Sequence, residues 1–358
     1  MFSKKPFFIP FFLFFMAFLV DKLILLDSFP LYYLTTASFI NFEHKEKLTL
    51  ELKEYLLAPN RKKVLVILGN SRSMSFSNEY ISKKYPEWIL FNFSVPGGTQ
   101  DYFLYIMEKF KKENIQPNAI VFVVTPQGMN LKPAVKTDEV MIFGLPFDFV
   151  LRHFSDFSID QLTNYLGKKL FAIYKYKPKI HIIIRRSNEW EMLKFTSFLI
   201  KNQMILEQER GSVKENENQV LFFSQEIIEK NAESIWNDFY TPFILDKKAI
   251  LFLEDCIKIA KELKVPHIAL LWAPVSPSLK KRKEEKKVAF YKVKDNIALT
   301  VKEIFIKEME MLIQKHNVHW YDFNFSEPMQ CNYFFDASHL SYHCLNEYTD
   351  KIFQKLKN

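Results

Sequence analysis

Three residues of this chain have the types and the order that nucleophilic acyl chemistry requires. Ser71 follows Gly69-Asn70, and Asp336-Ala337-Ser338-His339 lies far downstream. A serine hydroxyl is a weak nucleophile until a base takes its proton, and an imidazole can take that proton and later return it. His339 is the candidate base. Asp336 stands three residues earlier, a spacing that on a turn lets its carboxylate reach the imidazole Nδ1–H and fix the tautomer. A tetrahedral intermediate also needs donors for its oxyanion, one of which is typically worth about 2.7–4 kcal/mol. The candidates are the backbone N–H groups of Ser71 and of Gly97 or Gly98, together with the Gln127 amide. Arg72, beside the serine, is either a packing residue or the holder of an anionic substrate group.

Plainer readings exist for each of these residues. Ser71 also suits a helix N-cap, Gly97-Gly98 a tight turn, and His339 a solvated or core position. His339 and His343 stand four apart near Cys331 and Cys344, and a helical His pair at that spacing can share zinc. Position 340 is Leu rather than Glu, so the His-Glu-x-x-His pattern fails, and the expectation is no metal and no cofactor. Three cysteines (Cys256, Cys331, Cys344) are too few for a disulfide-built scaffold. In an exported domain, Cys331 and Cys344 would be able to close a disulfide around the loop that carries Asp336 and His339.

These residues need a frame. Lys63–Leu68 is a continuous apolar run ended by Gly69, as expected of a strand buried on both faces. Similar runs occupy 88–93, 119–124, 267–272 and 318–323, and helical patterns fall at 73–85, 99–114, 250–263, 298–316 and 341–356. This alternation predicts a three-layer α/β/α parallel sheet over 61–130 and 247–358. In such sheets ligands bind at the carboxyl ends of the strands. Ser71, Gly97, Gly98, Gln127 and His339 all follow predicted strands, and four of the seven glycines (Gly69, Gly97, Gly98, Gly128) fall in these loops. Between 131 and 246 the alternation fails, which predicts a mostly helical insertion. It holds the basic residues Lys168, Lys169, Lys175, Lys177, Lys179, Arg185 and Arg186, and a polar loop at 211–219. A second basic run, Lys280–Lys287, reads as a solvated face or a rim over the pocket.

The loops resemble those of the SGNH (GDSL-type) hydrolase superfamily. Gly69-Asn70-Ser71 matches its first block with Asn in place of Asp. The 92–98 run ending Gly97-Gly98 matches the second block, Gln127 stands at the oxyanion Asn of the third, and Asp336-x-x-His339 matches the last. The resemblance implies a flavodoxin-like sheet, a Ser71-His339-Asp336 triad and an oxyanion hole from Ser71, Gly97, Gly98 and Gln127. Phe91–Tyr105 also resembles a family of uncharacterised spirochaete proteins.

Composition narrows the class. The 358 residues carry 49 Lys+Arg against 41 Asp+Glu, a net charge of +8, with 48% hydrophobic residues and 37 phenylalanines. That is the composition of a folded chain. Zinc-finger spacing, a P-loop and an RNP-like strand are all lacking, so nucleic acid is not an expected partner. Lys4 and Lys5 precede a Phe-rich stretch that reaches Leu26 if Asp21 and Lys22 sit near an interface, and Tyr32 and Tyr33 follow. This predicts one N-terminal transmembrane helix within 1–30, a stalk over 31–60 and a periplasmic catalytic domain on the inner membrane. A cleaved signal peptide, with small residues at Thr35-Thr36-Ala37, and a buried core helix are the other readings. With that anchor, the chain is similar to the membrane-attached proteins of polysaccharide O-acetylation and teichoic-acid D-alanylation. They work beside a multi-pass membrane acyltransferase. The implied function is a serine acyltransferase or esterase acting on O-acyl groups of an anionic envelope glycan or lipid. A soluble-substrate esterase or lipase and an inactive partner-binding module are the alternatives.

Overall fold

The computed structural model describes residues 8–25, 33–34, 37–131, 139–213, 223–288 and 298–357. Along the chain these form α1 (Phe8–Leu23), α2 (Ala37–Leu57), β1 (Lys63–Leu68), α3 (Asn78–Lys84), β2 (Trp88–Asn92), α4 (Gln100–Glu113) and β3 (Ala119–Val124). Next come α5 (Phe147–Arg152), α6 (Ile159–Leu170), α7 (Ala172–Tyr176), α8 (Ile180–Arg186), α9 (Glu189–Gln208), α10 (Gln225–Tyr240) and α11 (Lys247–Glu262). The last elements are β4 (His267–Trp272), α12 (Pro277–Glu285), the short β5 (Lys287–Val288) and β6 (Leu299–Thr300), α13 (Val301–His316), β7 (His319–Asp322) and α14 (Leu345–Lys355). The described residues divide into two compact units, one of 1–40 with 141–204 and one of 41–140 with 205–358.

The larger unit holds a five-stranded sheet in the order β2-β1-β3-β4-β7, with every pair parallel. Its strands are apolar at nearly every position because helices cover both faces. On one face Leu65, Ile67, Val121, Val123, Ala269 and Leu271 share a core with Tyr348 and Phe353 of α14. On the other, Phe122 of β3 meets Phe103 of α4, and Trp272 of β4 meets Phe305 of α13. β5 and β6 form a small antiparallel pair apart from the main sheet.

The stretch expected to be a stalk is built into this unit from residue 41 onward. Leu48 and Leu52 of α2 are fully buried, and Lys45 donates from inside the core to the carbonyls of Asn92 (2.7 Å) and Gly211 (2.6 Å). Of the predicted insertion, only 141–204 lies in the smaller unit, whereas 205–246 belongs with the sheet.

The expected transmembrane helix is corrected by the structure. Among the described residues, no helix is long and apolar enough to cross a membrane. The 16 residues of α1 extend roughly 24 Å at about 1.5 Å per residue, short of a hydrocarbon core of about 30 Å. The physical reason lies in its last turn. Asp21, expected at a membrane interface, is buried and accepts the N–H groups of Ala172 (2.8 Å) and Ile173 (2.7 Å) at the start of α7. Phe14 and Phe18 meet Phe171 edge-on. An aspartate tied to the first turn of another helix makes this segment part of a packed unit. Lys4, Lys5, Leu26, Tyr32, the small pair Thr35-Thr36 and positions 214–219 of the polar loop lie outside the described residues.

Candidate active site

Ser71 opens a 3-10 turn (Ser71–Ser73) directly after β1. The sequence forms this turn because Asn70 caps it: its Oδ1 accepts the Arg72 N–H at 3.1 Å, and its Nδ2 reaches Thr125 Oγ1 at 3.4 Å. Ser73 fastens the far side, with its Oγ within 3.1 Å of the Asn70 carbonyl and 2.9 Å of Ser94 Oγ. Asn92, fully buried at the end of β2, donates to the carbonyls of Ser73 (2.8 Å) and Met74 (3.1 Å). Ser71 therefore stands at a strand terminus that three neighbouring polar side chains hold still. Its own N–H has no acceptor inside the turn it opens.

The second half of the site comes from the segment after β7. Asp336 Oδ1 accepts the N–H groups of Ser338 (2.6 Å) and His339 (2.9 Å), forming a tight carboxylate-capped turn. Its Oδ2 lies 2.8 Å from His339 Nδ1, and His339 Nε2 lies 2.7 Å from Ser71 Oγ across 268 positions of sequence. Burial disfavours the charge on Asp336. The hydrogen bond and charge of His339 and the two N–H groups outweigh that, so its pKa lies below the ordinary carboxylate value. A carboxylate on Nδ1 and a hydroxyl on Nε2 hold the imidazole in the orientation a general base needs.

Other residues hold this segment in place. Asn231 of α10 accepts the Ala337 N–H at 2.8 Å, and the Ala337 carbonyl accepts the Ser276 N–H at 3.1 Å. Cys331 and Cys344 are joined in a disulfide that encloses Asp336 and His339. Glu347 accepts the N–H groups of Gln330 (2.7 Å) and Cys331 (2.8 Å). The disulfide leaves neither cysteine as a thiolate ligand, and His339 is engaged at both ring nitrogens. Among the described residues no group of three His, Cys, Asp or Glu could hold a metal ion.

The loop after β2 approaches the serine turn closely. The Val95 N–H donates to the Gly69 carbonyl at 3.2 Å. Gly97 has φ +64°, and a Cβ on Gly98 would lie 2.2 Å from Gly69 O, so this crossing requires glycine at both positions. The Gly98 N–H donates to the Val95 carbonyl at 3.1 Å, closing a turn, which removes it from the set of oxyanion donors. The Gln127 side chain is fixed at its oxygen end, where Oε1 accepts Arg72 Nη2 at 2.8 Å. A side-chain carbonyl is thus directed at the residue after the serine.

Sequence reasoning missed Asn92, Asn231 and Glu347, which touch none of the three reacting groups but hold the backbone beneath them. Asn231 and Glu347 stand among other polar residues of their helices, and only the packing of the fold gives each its partner.

A match along nearly all of the 358 residues decides the family. This chain belongs to the family described as "Protein of unknown function (DUF1574)", whose profile matches residues 1–356. No curated protein matches it.

Proposed function

We propose that this chain is a serine-dependent acyltransferase or esterase of the SGNH type. The observation that carries this reading is the line Ser71 Oγ–His339 Nε2, His339 Nδ1–Asp336 Oδ2, at 2.7 and 2.8 Å. It stands at the carboxyl ends of a parallel sheet, where such folds bind ligands. Ser71 Oγ attacks the acyl carbonyl as His339 takes its proton, and the Ser71 N–H receives charge on the carbonyl oxygen. His339 then protonates the departing alkoxide, leaving an acyl-serine. An acceptor hydroxyl or water attacks next, gives its proton to His339, and releases Ser71 when the proton returns. Asp336 keeps its charge throughout and balances the imidazolium.

Two features outside the site bear on where the reaction occurs. Disulfides persist in oxidising compartments, so the Cys331–Cys344 bond favours a position outside the cytoplasm. In the smaller unit, α1 exposes Phe8, Phe11, Phe12 and Leu13, and the same unit carries the exposed lysines Lys177 and Lys179. Apolar rings beside cations suit a helix lying on an anionic lipid surface without crossing it. The substrate class favoured is therefore an O-acyl group on an envelope glycan or lipid.

The deciding experiment is labelling of the full chain with a fluorophosphonate, with p-nitrophenyl acetate turnover in parallel. Labelling at Ser71 that is lost in Ser71→Ala supports the reading. No labelling of folded protein would sink it and leave a partner-binding module. Labelling without turnover of the soluble ester, rescued by an added glycan acceptor, selects a transferase over an esterase.

A further inference from the structure

Lys283 is the one fully buried lysine of the run Lys280–Lys287, whose members Lys281, Lys286 and Lys287 are exposed. It lies in α12, the helix after β4. Its Nζ stands 5.2 Å from the centre of the Tyr240 ring and 5.6 Å from that of Trp272, with no hydrogen-bond acceptor. Arg72 repeats the pattern from the serine side: Nη2 is held by Gln127, while Nη1 is buried without an acceptor. Tyr240 joins the two, with its ring under Lys283 and its buried hydroxyl beside the Arg72 guanidinium. Burial raises the Tyr240 phenol and the adjacent Arg72 charge opposes that rise.

The carboxylate that feels Lys283 does not pair with it. Asp322 uses both oxygens on the backbone N–H groups of Asn324, Phe325 and Ser326 and on the Ser326 hydroxyl. Burial lowers the Lys283 pKa, Arg72 lowers it further, and Asp322 only partly opposes them. Guanidinium and ammonium groups donate and never accept. Arg72 Nη1 and Lys283 Nζ are therefore two buried donors with no well-formed acceptor among the described residues, and the Tyr240 hydroxyl, which can accept as well as donate, stands beside Arg72. Two cationic side chains with buried spare donors, one of them with its charge disfavoured by burial until a counter-charge arrives, have the chemistry of an oxyanion receptor.

We propose that Arg72, Lys283 and Tyr240 form an anion subsite beside Ser71, which takes a phosphate or carboxylate group carried by the substrate. The juxtaposition of that anion with an ester rests on the Ser71 reading, but its binding does not. The subsite makes Ser71 selective: an anionic acyl donor or acceptor is anchored at one end while its ester meets the serine. It also gives Arg72 a purpose beyond packing and explains why Gln127 turns its carbonyl toward the guanidinium, holding one arm while the other binds.

The test measures inorganic phosphate binding to the full chain by calorimetry at constant ionic strength, with Ser71→Ala, Lys283→Met and Arg72→Gln alongside. Wild type and Ser71→Ala are expected to bind phosphate equally, and the other two variants at least tenfold more weakly. Lys283→Met replaces a buried cation with an apolar chain of similar length. Arg72→Gln, at a half-exposed position, is the second variant should that one fold poorly. Glycerol phosphate and dihexanoyl phosphatidic acid separate the sources: tighter binding of the lipid assigns a headgroup, and equal binding assigns the phosphoester alone. In kinetics, the kcat/KM ratio of p-nitrophenyl hydrogen succinate to p-nitrophenyl acetate should fall at least tenfold in Lys283→Met. Phosphate binding equal in wild type and both variants, or absent from all of them, overturns the subsite. An unreactive Ser71 with binding that still depends on Lys283 overturns the esterase reading alone.

Discussion

Asp336 carries two duties at the scale of single residues. One oxygen fixes the backbone turn through Ser338 and His339, and the other holds the imidazole. Substitution by Asn keeps the shape but offers an amide where a carboxylate accepted, so the ring can adopt the wrong tautomer. Asp336→Asn should lower kcat by on the order of 10⁴-fold with little change in KM. Steady-state kinetics on an ester substrate checks this, and a loss confined to KM would show that Asp336 acts on binding alone. The types and spacing of Ser71, Asp336 and His339 were readable in the sequence because this chemistry demands particular atoms in a particular order. The turn of Gln127 toward Arg72 and the closure of Gly98 onto Val95 were not readable. Both depend on which of several nearby acceptors a donor meets, and that is settled only when the loops pack.

At the scale of elements, the site is held by its supports. Strands β1 to β4 were legible because a strand buried on both faces must be apolar at nearly every position. α10 fell within the stretch read as a mostly helical insertion and was not legible as a support, since Asn231 differs from any surface Asn only by facing the Ala337 N–H. Ala337 is fully buried, so losing that acceptor leaves a donor unsatisfied, at a cost of about 1–3 kcal/mol. Asn231→Ala is expected to lower stability by that amount and to reduce kcat more than KM, because the backbone between Asp336 and His339 loosens. Denaturant unfolding with kinetics on the same variant tests it, and unchanged kcat at reduced stability would limit Asn231 to the fold. Lys283 was misread for a related reason: a run of cations suggests a solvated face, yet one turn of α12 directs this lysine inward.

At the scale of the whole molecule, the two units divide the work by composition. The larger carries the sheet and all three reacting groups, and the smaller carries the exposed aromatic rings of α1. The N-terminal stretch misled because Phe density and a lysine flank are shared by helices that cross a bilayer and helices that lie on one. The burial of Asp21 against α7 builds α1 into the smaller unit. Full-length protein should float with vesicles containing phosphatidylglycerol and much less with phosphatidylcholine alone. Phe11→Ser with Phe12→Ser should reduce flotation several-fold. Equal flotation with both lipids would remove the role given to the lysines, and no flotation would remove the lipid surface.

The bond from His339 to Ser71 joins residues of the first parallel strand's loop to residues beyond the last strand. During synthesis, the serine leaves the ribosome more than two hundred residues before its base. On the proposed reading, the nascent polypeptide is chemically silent until the segment after the final strand has docked, and a product of premature termination before His339 lacks both the base and the core residues Tyr348, Ile352 and Phe353. On that reading, a time course of fluorophosphonate labelling during refolding reports the docking of the segment beyond the last strand.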